Sequence, residues 1–472
     1  MLPLTSPPSG YACHLPLAEE DRQVRADALR EPSTWHSRSL QSPFSASPSV
    51  CGARGGLWVD EAWSAVMVER ARTPLGIFTA INHDNNHHLN SLWMWLCGYG
   101  APPLALRALS IAAGTATILV AAGIGAQRSG RHALVAAALF AVSPIMVDYG
   151  SEARGYMPML LALMTMVWIV QRWLAAAEDT RWPRWRLAAL ATLGLFSQLT
   201  MVFGLCAITI WIAVALRNRH PADVATAGTI RLLLPTIVAT AAVFGVVLGA
   251  AAVSPTGMQV GDYVAFSPAA MGHALVMMVA SSVGGLAAPA WVAGVVTIGI
   301  GLALVAIVRR REPLAIFYLV AIVGLPLGLA VLRVGNTGMP RYFLLSSLAI
   351  LVLLAHLLAD GLGKHRTIRL VSMVILATIV VASIRDDLSQ SALRRGIPAP
   401  RSRRWQRSTH QARPCSSIIS ARSPRCASEP PNAAIRFRSR RIAPRRSSCT
   451  SISTTMPRPR ARWYDAPHVT AC

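Results

Sequence analysis

The chain has 472 residues, 53% of them hydrophobic and only 14% charged, with a formal net charge of +24 and a mean hydropathy of +0.44. So few charged groups cannot cover a core of this size with polar surface, so the composition excludes an ordinary water-soluble globular protein and points to a bilayer. The basic balance does not indicate nucleic acid, because the charge gathers at one end: from Leu388 onward 18 arginines face only Glu429 and Asp465.

Residues 1–56 carry scattered Pro, Ser and Arg and no apolar span, with no basic segment leading into an apolar one. They do not read as a signal peptide. Residues 386–472 are rich in Arg, Ser and Pro and show no period of 2 or 3.6 residues. Both ends are expected to be disordered or to derive from out-of-frame translation. Lys364 is the one lysine among 45 basic residues, a skew toward GC-rich codons. The eight cysteines form neither a CxxC pair nor a Cys/His metal spacing, so neither zinc nor a disulfide framework is expected.

Between the ends lie apolar runs long enough to cross a ~30 Å hydrocarbon core at 1.5 Å per residue. They fall at about 104–126, 133–148, 157–175, 187–199, 200–216, 232–253, 289–308, 314–332, 342–359 and 368–384. Such spans must be helices, because lipid offers no partner to backbone polar groups. Basic clusters stand at Arg128/Arg131, Arg172/Arg181/Arg184/Arg186, Arg217/Arg219/Arg231, Arg309–Arg311 and Lys364/Arg366/Arg369. Placing all five in the cytoplasm orients every span. The loops at 57–103, 148–156, 254–288 and 333–341 then share the extracytoplasmic side, provided that 269–287 is interfacial or re-entrant. The first loop also needs a preceding helix, which residues 1–56 do not supply.

The first outer loop contains Asp60-Glu61, then Asn82-His83-Asp84-Asn85-Asn86-His87-His88, then an amphipathic stretch from Leu89 to Gly98. The next contains Asp148, Glu152, Arg154 and Tyr156; charges of that kind cost roughly 3 kcal/mol each at a bilayer centre, so this segment lies at a membrane face. Arg333 and Arg341-Tyr342 open the next-to-last span. Each feature has an ordinary structural reading beside a functional one. Asp60-Glu61 could cap the helix Ala62–Arg70, the histidines could be interfacial loop residues, Glu152 and Arg154 a solvated turn, and Arg341 a headgroup anchor. Their common placement on one face favours function, because carboxylates facing arginines suit an anionic, phosphate-bearing substrate.

The stretch from Val59 to Trp173 resembles glycosyltransferase family 39, which contains protein O-mannosyltransferases and bacterial aminoarabinose transferases of the GT-C fold. The resemblance rests on Asp60-Glu61, the His/Asn motif before an amphipathic segment, Arg107 to Gly114 opening a span, and Ser143-Pro144 followed by Tyr149-Gly-Ser-Glu-Ala-Arg154-Gly-Tyr156. Pro340-Arg-Tyr-Phe343 resembles the family's late Arg-Tyr motif, so the likeness covers about 57–385. It implies an all-α GT-C-like bundle of about ten transmembrane helices, with interfacial helices in the first outer loop. It also implies inverting transfer of a sugar from a polyprenyl-phosphate donor to an acceptor hydroxyl of a lipid, glycan or protein, in a bacterial plasma membrane.

On that likeness Asp60 would be the base, with Glu61 its neighbour and Glu152 the second carboxylate. Arg154 and Arg341 would contact the donor phosphate, and His83, Asp84, His87, His88, Tyr156 and Tyr342 would line the substrate site. The departing phosphate needs cationic stabilisation from arginines or from a divalent metal ion, for which Asp60 and Glu152 are the candidate ligands. Two departures stand out: His87-His88-Leu89-Asn90 occupies the place of the family's Pro-Pro-Leu-Tyr type motif, and the first helix and a C-terminal periplasmic domain are missing. The competing readings are a polytopic transporter or lipid flippase, and an inactive product of a truncated gene. A transporter would place its ionisable groups mid-span or in repeated halves, whereas here they stand at span ends on one side.

Overall fold

The computed structural model describes residues 53–395 apart from 54, 85, 99, 177–180, 255–256, 260–262 and 287. The expectations for residues 1–52 and 396–472 lie outside the described residues. Among the described residues the chain is helical, with an isolated bridge between His83 and Gln259.

Three short helices come first: α1 (Val59–Ala71), α2 (Pro74–Thr79) and α3 (His88–Cys97). Asp60 and Glu61 stand in the first turn of α1, where acids suit the helix dipole. The Glu61 side chain also accepts from the Trp58 N–H at 2.8 Å. Thr73 caps α2 by accepting from the Gly76 N–H, and Pro74 gives up nothing at the first helical position. These helices share a small core of Val68, Ile77, Ile81 and Met94, which also includes Leu106 and Ala153. Through those two residues the layer packs onto the start of the first long helix and onto the turn at 151–155.

The bundle follows as α4 (Pro103–Ala126), α5 (Gly130–Val142), α6 (Pro144–Gly150), α7 (Tyr156–Ala175), α8 (Arg184–Ser197), α9 (Met201–Arg217), α10 (Ala222–Val253), α11 (Pro268–Val283), α12 (Ala290–Arg309), α13 (Ala315–Leu319), α14 (Leu325–Val331), α15 (Leu344–Leu362) and α16 (Arg366–Arg395). Among the described residues six helices are long and apolar enough to cross a membrane, or seven if α5 and α6, bent by 62° at Ser143-Pro144, form one span. Shorter apolar helices add α9, α11 and α13–α14. The chain is an all-α polytopic membrane bundle, as its composition requires.

The span at 133–148 bends where Pro144 has no N–H to continue the ladder. The span at 314–332 contains a π-helical turn, Val320–Gly324, just before Pro326, which relieves the same defect; the Ser346 hydroxyl donates to the Ala321 carbonyl there. The expected crossing at 187–199 is the 14-residue α8, about 21 Å long and too short to span the hydrocarbon core alone. The segment at 269–287 contains α11, whose ends both meet one end of the bundle. A Cβ on Gly338, ahead of α15, would touch Ala270 at 3.4 Å. At the other end the Ser282 hydroxyl donates to that of Ser347, and the Leu286 N–H donates to Asp386 at 2.9 Å. Finally, α16 continues to Arg395, so the boundary expected after Arg385 falls inside a helix.

The two ends of the bundle differ chemically. At one end an Arg128–Glu312 ion pair, a His132–Asp360 contact of 3.0 Å and the Arg131 guanidinium against Gly363 tie together the turns that hold three of the five basic clusters. The other end carries Asp60, Arg154 and Arg341. Central α15 is buried over most of its length. By contrast, α12 and α16 present mostly apolar outward surface, as lipid-facing helices do.

Candidate functional site

The site begins with a charge that must be neutralised. Arg107 sits in the first turns of the apolar α4 and is 1% exposed, so each of its five N–H donors needs a partner. Its Nε donates to Glu61 Oε1 at 2.9 Å and its Nη2 to Glu61 Oε2 at 2.6 Å. The remaining donors reach the carbonyls of Ala53 at 2.7 Å, Gly55 at 3.3 Å and Gly56 at 2.7 Å. Ala53, Gly55 and Gly56, expected to belong to the atypical N-terminal segment, are thus bound into the site. Glu61 is fully buried and also accepts from the Ala153 N–H at 2.6 Å. One ion pair therefore joins the start of α1, the start of α4 and the 151–155 turn.

This clamp fixes the next residue on each side. Asp60 faces outward, its side chain 49% exposed, and its Oδ2 accepts from Arg154 Nη1 at 2.6 Å. Arg341 Nη1 stands 3.7 Å from the same oxygen. Arg154 is nearly buried; its carbonyl accepts from the Ser110 hydroxyl at 2.9 Å, and its guanidinium lies 4.9 Å from the Tyr156 ring centroid. Arg341 lies over Tyr342 at 5.7 Å. Two guanidiniums, each beside a phenol ring, thus gather at the half-exposed Asp60 carboxylate.

His87 completes the back wall. Arg154 Nε donates to His87 Nε2 at 3.3 Å, so the ring proton is on Nδ1 and points to the Ser197 carbonyl at 3.2 Å. Burial, reinforced by the Arg154 charge, holds the imidazole well below its ordinary pKa, so it stays neutral beside the guanidinium. Gly155 is required here: a Cβ would lie 1.8 Å from the Ser197 carbonyl oxygen and 3.0 Å from the His87 Cβ.

The other sequence candidates divide. Glu152 lies in the same turn as Arg154 and within electrostatic reach of the Tyr149 and Tyr156 hydroxyls, as does Arg341. His88 turns away from the opening into an aromatic pocket, stacked on Phe78 at 5.3 Å and edge-on to Phe196 at 5.9 Å. Burial lowers its pKa to about 4. His83 and Asp84 pair with each other at 2.8 Å, and the backbone around them pairs with Gln259. The Asn86 amide bonds to the carbonyls of Ile77 and Ile81 and accepts from Ser91, which closes the loop into α3.

Sequence reasoning marks Arg107 only as part of a motif, although an arginine inside an apolar span is a functional candidate by default. It quotes Asn90, whose amide donates to the Ala153 carbonyl at 2.6 Å, and Gly155 within motifs but gives neither a role. No local pattern distinguishes either, because both matter only through distant backbone. Among the described residues no group of three His, Cys, Asp or Glu is gathered, and at Asp60 two guanidiniums already hold the positive charge.

No protein-family model and no curated protein sequence matches the chain. Among solved structures, that of ArnT from Cupriavidus metallidurans in the apo state is similar, with a TM-score of 0.51 and 11% identity over 80% of this chain and 77% of that one. At that identity the likeness concerns the fold alone, and the fold is that of the GT-C polytopic membrane proteins.

Proposed function

We propose that this chain is a membrane glycosyltransferase that moves a sugar from a polyprenyl-phosphate donor to an acceptor hydroxyl on the extracytoplasmic face, with inversion at the anomeric carbon. The observation that carries the reading is the half-exposed Asp60 carboxylate, 2.6 Å from Arg154 and 3.7 Å from Arg341. The fold shared with ArnT supports it, as does the meeting of Asp60, Arg154 and Arg341, three residues of the segments that resemble family 39.

In this reading Arg154 and Arg341 take the donor phosphate, exchanging the Asp60 carboxylate for phosphate oxygens that guanidinium forks match well. Asp60 then turns to the acceptor hydroxyl as general base. The acceptor oxygen bonds to the anomeric carbon as the bond from that carbon to the phosphate oxygen breaks. The hydroxyl proton passes to Asp60, and the lipid phosphate leaves with its charge balanced by the two arginines. Tyr156 and Tyr342 flank the guanidiniums and offer ring faces and hydroxyls to the sugar. Glu152 lies beside the phenols as a carboxylate for sugar or acceptor hydroxyls. Glu61, with both oxygens taken by Arg107, Trp58 and Ala153, is a positioning residue. His83, Asp84 and His88 shape the loop.

The test is donor-dependent transfer in membranes supplied with polyprenyl-phosphate-linked sugars. Asp60→Asn keeps size and removes the proton acceptor, so transfer should fall by roughly 10²–10⁴-fold, the range typical of a lost general base, while the protein remains inserted. Near wild-type transfer in that variant would reduce Asp60 to a first-turn helix acid.

A further inference from the structure

At the basic end of the bundle, far in sequence from the Asp60 opening, a groove of about 380 Å³ runs between α9 and α10. Val214, Ala225 and Ile230 line it, together with Thr226, Thr229 and Arg217. The threonine donors are already used, because their hydroxyls donate to carbonyls of their own helix, Thr226 to Ala222 at 2.7 Å and Thr229 to Ala225 at 2.8 Å. The walls are mostly apolar, and among the described residues Arg217 is the one charged lining residue. Arg217 is exposed and makes one long hydrogen bond, 3.3 Å, to the His220 carbonyl.

The groove occupies the last turns of α9 and the first turns of α10, the level at which Arg217, Arg219 and Arg231 gather. Arg231 lies over the Trp182 ring at 5.5 Å, an amphipathic pair of the kind that marks a bilayer interface. Beyond the groove the surface continues outward through Leu234 and Ile237, both more than half exposed. Asp223, in the first turn of α10, does not line it.

We infer that this groove is a binding site for an anionic phospholipid of the leaflet at the basic end, with an acyl chain against Val214, Ala225 and Ile230 and the headgroup phosphate on Arg217. Charge complementarity and the apolar walls together select that occupant. A free phosphate would gain nothing from the walls, and a zwitterionic lipid would place a choline cation among the arginines. The inference is independent of the glycosyltransferase reading.

The experiment is native mass spectrometry of the purified full chain, titrated with phosphatidylglycerol or phosphatidylcholine of the same acyl chains. The wild type should retain phosphatidylglycerol in preference. Arg217→Ala should lower that retention roughly fivefold, equivalent to the ~1 kcal/mol of one arginine near an anionic surface, and leave phosphatidylcholine unchanged. Thr226→Trp keeps every charge but fills the groove, and should abolish the preferred first binding event. Arg219→Ala, which removes a neighbouring charge outside the groove, should lower the retention clearly less than Arg217→Ala does. Equal retention of the two lipids, wild-type retention in Arg217→Ala or Thr226→Trp, or an equal loss in Arg219→Ala, which would mark diffuse surface attraction, would each overturn the inference.

Discussion

Glu61 and Arg107, 46 positions apart in the chain, form a buried ion pair with both carboxylate oxygens and the guanidinium edge engaged, at 2.9 and 2.6 Å. Both side chains are essentially shielded from solvent. The pair gathers the carbonyls of Ala53, Gly55 and Gly56, the Trp58 amide and the Ala153 amide around one charge centre. Asp60 and Arg154, the adjacent residues on those two segments, are thereby brought to 2.6 Å of each other. The geometry of the opening thus depends on a contact that does not itself face the opening.

Substitution of Arg107 should therefore be costly even when charge is kept. Lysine offers three donors where arginine offers five, and cannot match the carboxylate edge. Arg107→Lys should lower stability by ~3 kcal/mol, in the range for a broken buried pair, and reduce transfer by roughly 10²-fold through displacement of Asp60. Thermal unfolding in detergent together with transfer kinetics would check this. An unfolding midpoint and rate near wild type would show that the clamp is dispensable.

Gly155→Ala should disable the site by steric means alone. The added methyl meets the Ser197 carbonyl, which holds the His87 proton, and backbone on either side leaves little room to give. A loss of ~1–3 kcal/mol is expected for overpacking of this kind, with transfer falling further than stability. If the variant unfolds like the wild type and transfers at the same rate, the 151–155 turn and the end of α8 are not held in register.

The buried histidines give the fold a pH dependence of defined sign. Burial lowers the pKa of His88 to about 4 and that of His87 well below its usual value. The unfolded chain therefore takes up protons first as pH falls through about 6.5. Stability from these groups is complete above that pH and declines on acidification, for His88 down to about pH 4. Its share is roughly 3 kcal/mol at the acid limit. His88→Phe, which suits Phe78 and Phe196, should flatten the stability profile between about pH 6.5 and 4 relative to the wild type. Parallel profiles would mean that His88 is solvated in the native state.

Truncation should distinguish two sites only ten residues apart. Removal of residues 396–472 should leave insertion and transfer unchanged, since the described helix ends at Arg395 and the arginine-dense remainder has too few apolar residues to build a core. Removal from residue 386 onward also deletes Asp386, which accepts from the Leu286 amide at 2.9 Å and holds the end of α11. That shorter chain should lose ~1 kcal/mol or more as read by thermal unfolding. Loss of insertion or transfer in the chain ending at Arg395 would make the tail part of the working protein.

The sequence by itself determined the class of this protein, because long apolar runs with charges confined to their ends can only be helices in a bilayer, whatever their neighbours. It also located Asp60, Arg154 and Arg341, since ionic groups at span ends announce themselves against an apolar background. It could not assign Glu61 or Arg107: adjacent acids in a loop look alike, and only tertiary packing turned Glu61 inward to neutralise a buried arginine while leaving Asp60 at the opening. His87 and His88 were equally indistinguishable as neighbours, until α3 directed one ring to Arg154 and the other into the Phe78–Phe196 pocket. The bend at Pro144, the return of α11 and the need for glycine at 155 were likewise settled by distant backbone. Hydropathy records how much apolar surface a segment has, but which backbone it meets is decided when the helices pack.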